Sequence, residues 1–251
     1  EFAGWAFAFA GCAAMVGLGV IAVVFAAEPP RADGAAPQGW AARLRYAVID
    51  PFADFMRRRY WFAILAFIAL FKLGEALAGI MTAPFYRQLG FTRLEVASVS
   101  SVFGLMATLA GALAGGWLVA KLGTGRALIL TGVTQMLSNL MYVALAFAGH
   151  DIGMLFAQVG VENFTDGLAD AAFLSYLGML TSRSFTATQY ALLSSLAAVP
   201  LRTLGATSGV LAEAMGWPWF FVLTTAAALP AMVIMLWLLR RLPPKPEGAP
   251  A

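Results

Sequence analysis

An all-α polytopic membrane protein with seven transmembrane helices is the fold class this sequence predicts. Three observations predict it. The composition is 61% hydrophobic and 12% charged with a mean hydropathy of +0.80, well outside the range of soluble domains. Seven apolar runs reach the roughly 20 residues needed to cross a hydrocarbon core of about 30 Å. The basic residues, finally, crowd into alternate connections between those runs, the pattern that fixes orientation in a bilayer.

The runs cover 2–25, 60–82, 94–120, 126–148, 152–180, 187–212 and 218–239. The first begins at once. Residue 1 is Glu rather than Met and lacks the basic flank of a signal peptide, so the chain is expected to be truncated at its N-terminus. Between the first and second runs lies a longer connection, 26–59. It opens with the Pro- and Gly-rich linker AAEPPRADGAAPQG and closes with a basic, partly amphipathic stretch ending in Arg57, Arg58 and Arg59. The last six runs are joined by only about 5 to 12 residues, which makes consecutive helices antiparallel neighbours. One helix, a basic loop and six tightly connected helices are what remains of a twelve-helix transporter cut just before its sixth helix. The expected organisation is therefore a transmembrane helix at 1–25, a cytoplasmic linker at 26–59, a six-helix transporter half at 60–240 and a cytoplasmic tail at 241–251.

With the long loop placed in the cytoplasm, twelve basic residues fall inside, only Arg87 and Arg93 fall outside, and Lys72 and Arg202 lie within spans. The C-terminus is then cytoplasmic. A net charge of +3 carried in such loops argues for orientation rather than nucleic-acid binding. One cysteine, Cys12, and one histidine, His150, provide neither a disulfide nor a zinc site. No cofactor is expected. An intramembrane enzyme is disfavoured too, because no HExxH or GxGD pair occurs in a span and the only histidine lies in an external loop.

Within the second run, Lys72 and Glu75 are three residues apart and share a helix face, as a proton relay, a substrate clamp or a structural salt bridge. The third run places Ala107, Gly111 and Gly115 at every fourth position, small residues that let a neighbouring backbone approach. Gln135, Ser138 and Asn139 in the fourth run could bind a sugar or peptide, or join helices. In the fifth, Glu162, Asp166 and Asp170 recur every fourth residue with Asn163 beside them. A carboxylate at bilayer depth costs about 2.5–3.5 kcal/mol, so this acidic face must look into protein or water. Like charges so spaced disfavour simultaneous ionisation, the physical requirement of a proton carrier. Asp170 could instead face the cytoplasmic vestibule, and Asp166 could cap a helix or pair with Arg202. In the sixth run Pro200 is expected to kink the helix, and Arg202 offers a guanidinium to a substrate anion or, by preference, to an acid of the fifth run. Lys72, Gln135, Glu162, Asn163, Asp166 and Arg202 all fall near mid-span, where alternating access requires a substrate site. Tyr60, Trp61, Trp217 and Trp219 stand at span ends as interface anchors.

Five segments carry a family resemblance. GGWLVAKLGTGRALIL resembles the gating-loop motif of the major facilitator superfamily, with Gly116, Lys121 and Gly123 in register. Ala120 replaces the usual Asp and Arg126 comes two residues late. FKLGEA at 71–76, GFTRLEVASVSSVFGLMATLAGALAGG at 90–116, the pair Glu162-Asn163 and SFTATQYALLSSLAAV at 184–199 are similar to the C-terminal half of the AmpG-type muropeptide permeases. The resemblance implies proton-driven import of anhydro-muropeptides, sugar-peptide fragments of peptidoglycan, across the bacterial inner membrane. It points to Lys72, Glu75, Glu162, Asn163 and Gln189, whereas Asp166 and Asp170 fall where the family has small or uncharged residues. The implied partners are the sugar-peptide, protons, the bilayer and an N-terminal half. A facilitator of another solute, such as a peptide, acyl-CoA or drug, is the alternative.

Overall fold

The computed structural model describes residues 2–26, 39–182 and 185–241. The linker expected over 27–38 and the tail at 242–251 lie outside the described residues, as do Arg183 and Ser184. Two compact units are present, Glu1–Pro37 and Gln38–Ala251. The first contains helix α1, Phe2–Phe25, whose residues from Phe9 onward are almost all solvent-accessible, Cys12 included.

The described residues of the second unit form helices joined by turns, with no strand among them. Residues 40–56 form α2, in which a π-helical turn, Arg45–Ile49, joins Trp40–Leu44 to Asp50–Met56. The basic stretch is therefore a helix with one packed side, burying Pro51 and Phe55. The chain leaves it through Tyr60, whose φ of 65° is left-handed; Arg59 lies 4.9 Å over the Tyr60 ring, and the ring meets Trp237 edge-on at 4.8 Å. The remaining helices are α3 (Trp61–Gln88), α4 (Arg93–Leu122), α5 (Thr124–Ala148), α6 (Ile152–Met179), α7 (Thr186–Thr203), α8 (Ser208–Met215) and α9 (Trp217–Arg241). Of these, α3, α4, α5 and α9 are long and apolar enough to cross a membrane. Helix α6 has the length, but its three acids dilute its hydropathy, and the sixth expected span is divided into α7 and α8.

That division falls at the short 3₁₀ turn Gly205–Thr207 rather than at Pro200, which α7 runs through. The packing explains the site of the break. Gly205 is buried, and a Cβ there would land on the Ile80 side chain of α3. Helix α3 is itself interrupted at Lys72 (φ −90°, ψ 5°), α5 at Asn139 and α9 at Ala228. In α9 the cause is Pro230, which removes an N–H and crowds the carbonyl four residues earlier.

The small residues of α4 are where α4 and α6 close on each other. A Cβ on Gly111 or Gly115 would run into the carbonyls of Phe164 or Leu168, and one on Gly167 into the Thr108 carbonyl. Such contact brings two backbones together along their length.

The core is in two parts. One contains Phe67, Phe71, Leu128, Phe173, Leu177 and Met235, with Phe71 and Phe173 stacked at 4.8 Å. The other contains Phe85, Tyr142, Leu155, Phe220 and Phe221, with Tyr142 and Phe221 stacked at 4.5 Å. Along α3, α5, α6 and α9 the polar residues fall between these two cores, so the helices are clamped at both ends around a polar middle layer.

Candidate functional site: a charged layer beneath an apolar-walled cavity

The interruption of α3 positions Lys72 at the polar layer. Its Nζ lies 2.6 Å from Glu75 Oε2, 3.2 Å from Asp166 Oδ1 and 2.5 Å from Asp170 Oδ1. An ammonium has three N–H donors, and here each meets a different carboxylate. One positive charge is shared among three acids. Lys72 is thus not an isolated charge at bilayer depth, which would be costly.

One turn along α6, Glu162 Oε2 lies 3.1 Å from Ser138 Oγ of α5. Asn163 accepts a 3.1 Å hydrogen bond from Thr108 of α4 and donates to the Val159 carbonyl at 2.8 Å. Glu162 and Asn163 form the inner wall of a cavity of about 700 Å³ that opens at the end of the bundle bearing residues 89–92. Tyr86 donates to Gln158 Oε1 at 2.5 Å on its wall, Thr82 and Tyr142 lie 3.2 Å apart, and the exposed Arg87 and Arg93 stand among its lining residues. Most of the cavity's surface is apolar, with the polar groups set at defined points, as in pockets that recognise organic ligands.

The structure thus gathers Lys72, Glu75, Asp166 and Asp170 into one cluster and sets Glu162 and Asn163 beside it. It separates the other expected site residues. Arg202 is exposed on α7 and makes no ion pair among the described residues, so the expected pairing with an acid of α6 is not formed. Lys72 takes that place, because the break in α3 delivers it to the face of α6. Asp166 accordingly neither caps a helix nor meets Arg202, and Asp170 is an ion-pair partner rather than a free vestibule carboxylate. Gln189 is buried away from the cluster: its amide nitrogen donates to the Pro51 carbonyl at 3.0 Å and Asp54 at 2.8 Å, and its oxygen accepts from Ser182 N–H at 2.7 Å. It bolts α2 to the start of α7, beside a nearly all-apolar cavity of about 380 Å³. Gln135 and Asn139 are buried in the polar layer and do not line the large cavity. In the gating-loop segment, Gly116, Lys121 and Arg126 are exposed, and Gly123, at φ 77°, makes the single-residue turn between α4 and α5. Lys121 and Arg126 have no ion-pair partner among the described residues.

Sequence reasoning missed Tyr86, Tyr142, Gln158 and the cavity role of Arg87 and Arg93. A signal was present in the helical period. Gln158 precedes Glu162 by one turn, and Tyr86 follows Thr82 by one turn, so each extends a polar face toward a helix end.

A family model for the major facilitator superfamily matches residues 68–251. "Putative transporter AmpG 4" of Rickettsia felis is 39% identical over 193 residues, 77% of this chain and 47% of its own length. The "Anhydromuropeptide permease" of Escherichia coli K12 is 40% identical over 194 residues, 77% of this chain and 40% of its own. "Putative transporter AmpG 1" of Rickettsia prowazekii is 32% identical over 177 residues, 70% of this chain and 40% of its own. The chain spans less than half the length of these curated relatives.

Proposed function

The chain belongs to the major facilitator superfamily, and from that membership we propose that it is the C-terminal part of a proton-driven importer of anhydro-muropeptides in a bacterial inner membrane. The observation that carries the reading is the adjacency of two features: a cavity of about 700 Å³ with Glu162 and Asn163 in its wall, and the Lys72–Glu75–Asp166–Asp170 cluster one helical turn away. The cavity has room for a sugar-peptide fragment, with Arg87 and Arg93 in position to attract its carboxylates. The cluster supplies carboxyls that exchange protons while their shared cation stays neutralised.

In this reading a proton on one carboxyl redistributes Lys72 among the others, and substrate in the cavity biases that redistribution through Glu162. Coupling needs no more than such a differential interaction with two states. Five further helices, from the length that the relatives possess and this chain does not cover, would complete the cavity wall. The cytoplasmic placement of the C-terminus follows from the charge asymmetry of the loops.

The test is uptake of labelled anhydro-muropeptide by vesicles containing the full-length protein, with and without an imposed proton gradient. Accumulation above equilibrium that collapses when the gradient is discharged supports the reading. Uptake that only equilibrates, or that unlabelled anhydro-muropeptide does not compete, refutes it. Preferential competition by a peptide or an acyl-CoA would assign the cavity to another solute.

A further inference from the structure

Helix α2 carries apolar residues on its outward side as well as its packed one. Trp40, Leu44, Val48, Phe52 and Met56 recur every fourth residue, which sets them along one slowly drifting side of the helix. All five are exposed. The same segment is basic, for residues 40–60 hold five arginines against two aspartates. Two of the arginines are engaged in the fold. Arg45 pairs with Asp50 at 3.5 Å, while Arg58 pairs with Asp54 at 3.5 Å and donates to the Leu180 carbonyl. Arg57 and Arg59 are exposed and have no acidic partner among the described residues.

The apolar stripe runs into a cavity. At the opposite end of α3 from the mouth of the large cavity, a space of about 380 Å³ lies between Phe52 and Met56 of the stripe, Trp61 and Leu65 of α3, and Leu193 and Leu196 of α7. Gln189 is the single polar residue in its lining, and both its amide hydrogens and its oxygen are already bonded to Pro51, Asp54 and Ser182. The cavity therefore offers a guest no free side-chain hydrogen bond. Polar groups brought into it would go unsatisfied, which is costly. A hydrocarbon chain has none to satisfy.

The unpaired arginines stand at its rim. Arg57 follows Met56 directly and Arg59 precedes Trp61 by two residues, so the turn through Tyr60 that carries them joins two lining residues. Basic clusters beside a membrane-crossing helix attract anionic lipid, and Tyr and Trp sit at the level of lipid headgroups.

We propose that this site seats one anionic phospholipid, with its phosphodiester against Arg57 and Arg59 and one acyl chain in the cavity. The exposed stripe of α2 rests on the neighbouring lipids, as an interfacial helix does. The lipid braces α2 against α3 and α7 from outside, where Gln189 does so from within. None of this depends on which solute the protein carries.

The experiment uses the full-length protein in phosphatidylethanolamine vesicles containing a phosphatidylglycerol with a photoactivatable group at the end of one acyl chain. Irradiation is expected to label Met56, Leu193 and Leu196 above exposed Val233 of α9, and unlabelled phosphatidylglycerol is expected to suppress that labelling far better than phosphatidylcholine. In the double variant Arg57→Gln, Arg59→Gln this preference is expected to fall about thirtyfold, which is about 2 kcal/mol at about 1 kcal/mol for each arginine near an anionic surface. Leu196→Trp, which fills the cavity, is expected to abolish labelling of Met56 and Leu193 while the unfolding midpoint is kept; Leu192→Trp replaces it if that variant does not fold. Four results overturn the proposal. Labelling no stronger than at Val233 means bulk lipid alone. Equal competition by the two lipids removes the role of the arginines. Competition by glycerol phosphate as strong as by the lipid makes the rim a site for free phosphate. No label at the cavity means that another part of the full-length chain fills it.

Discussion

Replacing Lys72 by Met removes the one cation that three carboxylates share. The side chains are of similar length, so the substitution deletes charge with little change in packing. Stripping a partner from a buried charge network costs about 3–5 kcal/mol. Lys72 is 17% exposed, but its partners range from 30% to 44%, so water relieves part of that cost and about 2–3 kcal/mol is expected. For a domain of this size each kcal/mol moves the unfolding midpoint by about 2–4 °C, giving a drop of about 4–12 °C. The assay is thermal unfolding of the purified full-length protein in a fixed detergent, with Asp166→Asn added on the Lys72→Met background. Neutralising one stranded carboxylate is expected to recover at least 2 °C, a positive coupling between contacting sites. A Lys72→Met midpoint within 1 °C of native, or a further fall in the double variant, would refute the shared-cation account.

Other consequences are open to measurement in the same protein. Glu162→Gln is expected to abolish gradient-dependent accumulation while leaving the unfolding midpoint within about 2 °C of native; normal uptake by that variant would remove Glu162 from the mechanism. Gly167→Ala drives a methyl group into the Thr108 backbone, so it is expected to destabilise by about 1–3 kcal/mol, read as a lowered midpoint, whereas Gly116→Ala, with open space at its Cβ, should be tolerated. Gln189→Ala deletes three hydrogen bonds, worth about 1.5–4.5 kcal/mol together. Residues 40–56 should then exchange amide hydrogens faster with the substrate concentration for half-maximal uptake unchanged; an altered half-maximal concentration would return Gln189 to the binding site.

Much of this was legible because lipid is a severe solvent. Runs of apolar residues long enough to cross it, and glycines spaced by one helical turn in α4, read directly from periods of 3.6 and lengths of about 20 residues. The polar layer was legible for the same reason: Lys72, Glu162, Asp166 and Asp170 stand out where charge is expensive. Arg202 stood out equally, yet it lies exposed on α7, because cost alone says that a charge needs a partner or water and not which. Gln189 shows the converse. It has the chemistry of a substrate contact, and the contact it makes is with α2, a helix whose folding onto α7 no local period announces.

The sequence by itself determined that this chain is helical, that it belongs in a bilayer, and that Lys72, Glu162 and Asp166 fall near the middle of apolar runs, since these depend on composition and spacing along one chain. Only the tertiary structure decided that α3, α5 and α9 break at the same level, that Lys72 reaches three acids, and that Gln135 and Asn139 are buried apart from the large cavity. Those outcomes depend on which helices touch and how closely. Glycines such as Gly74 and Gly111 set that distance by what their missing side chains leave free, and the residues that fill the space lie far away in the chain.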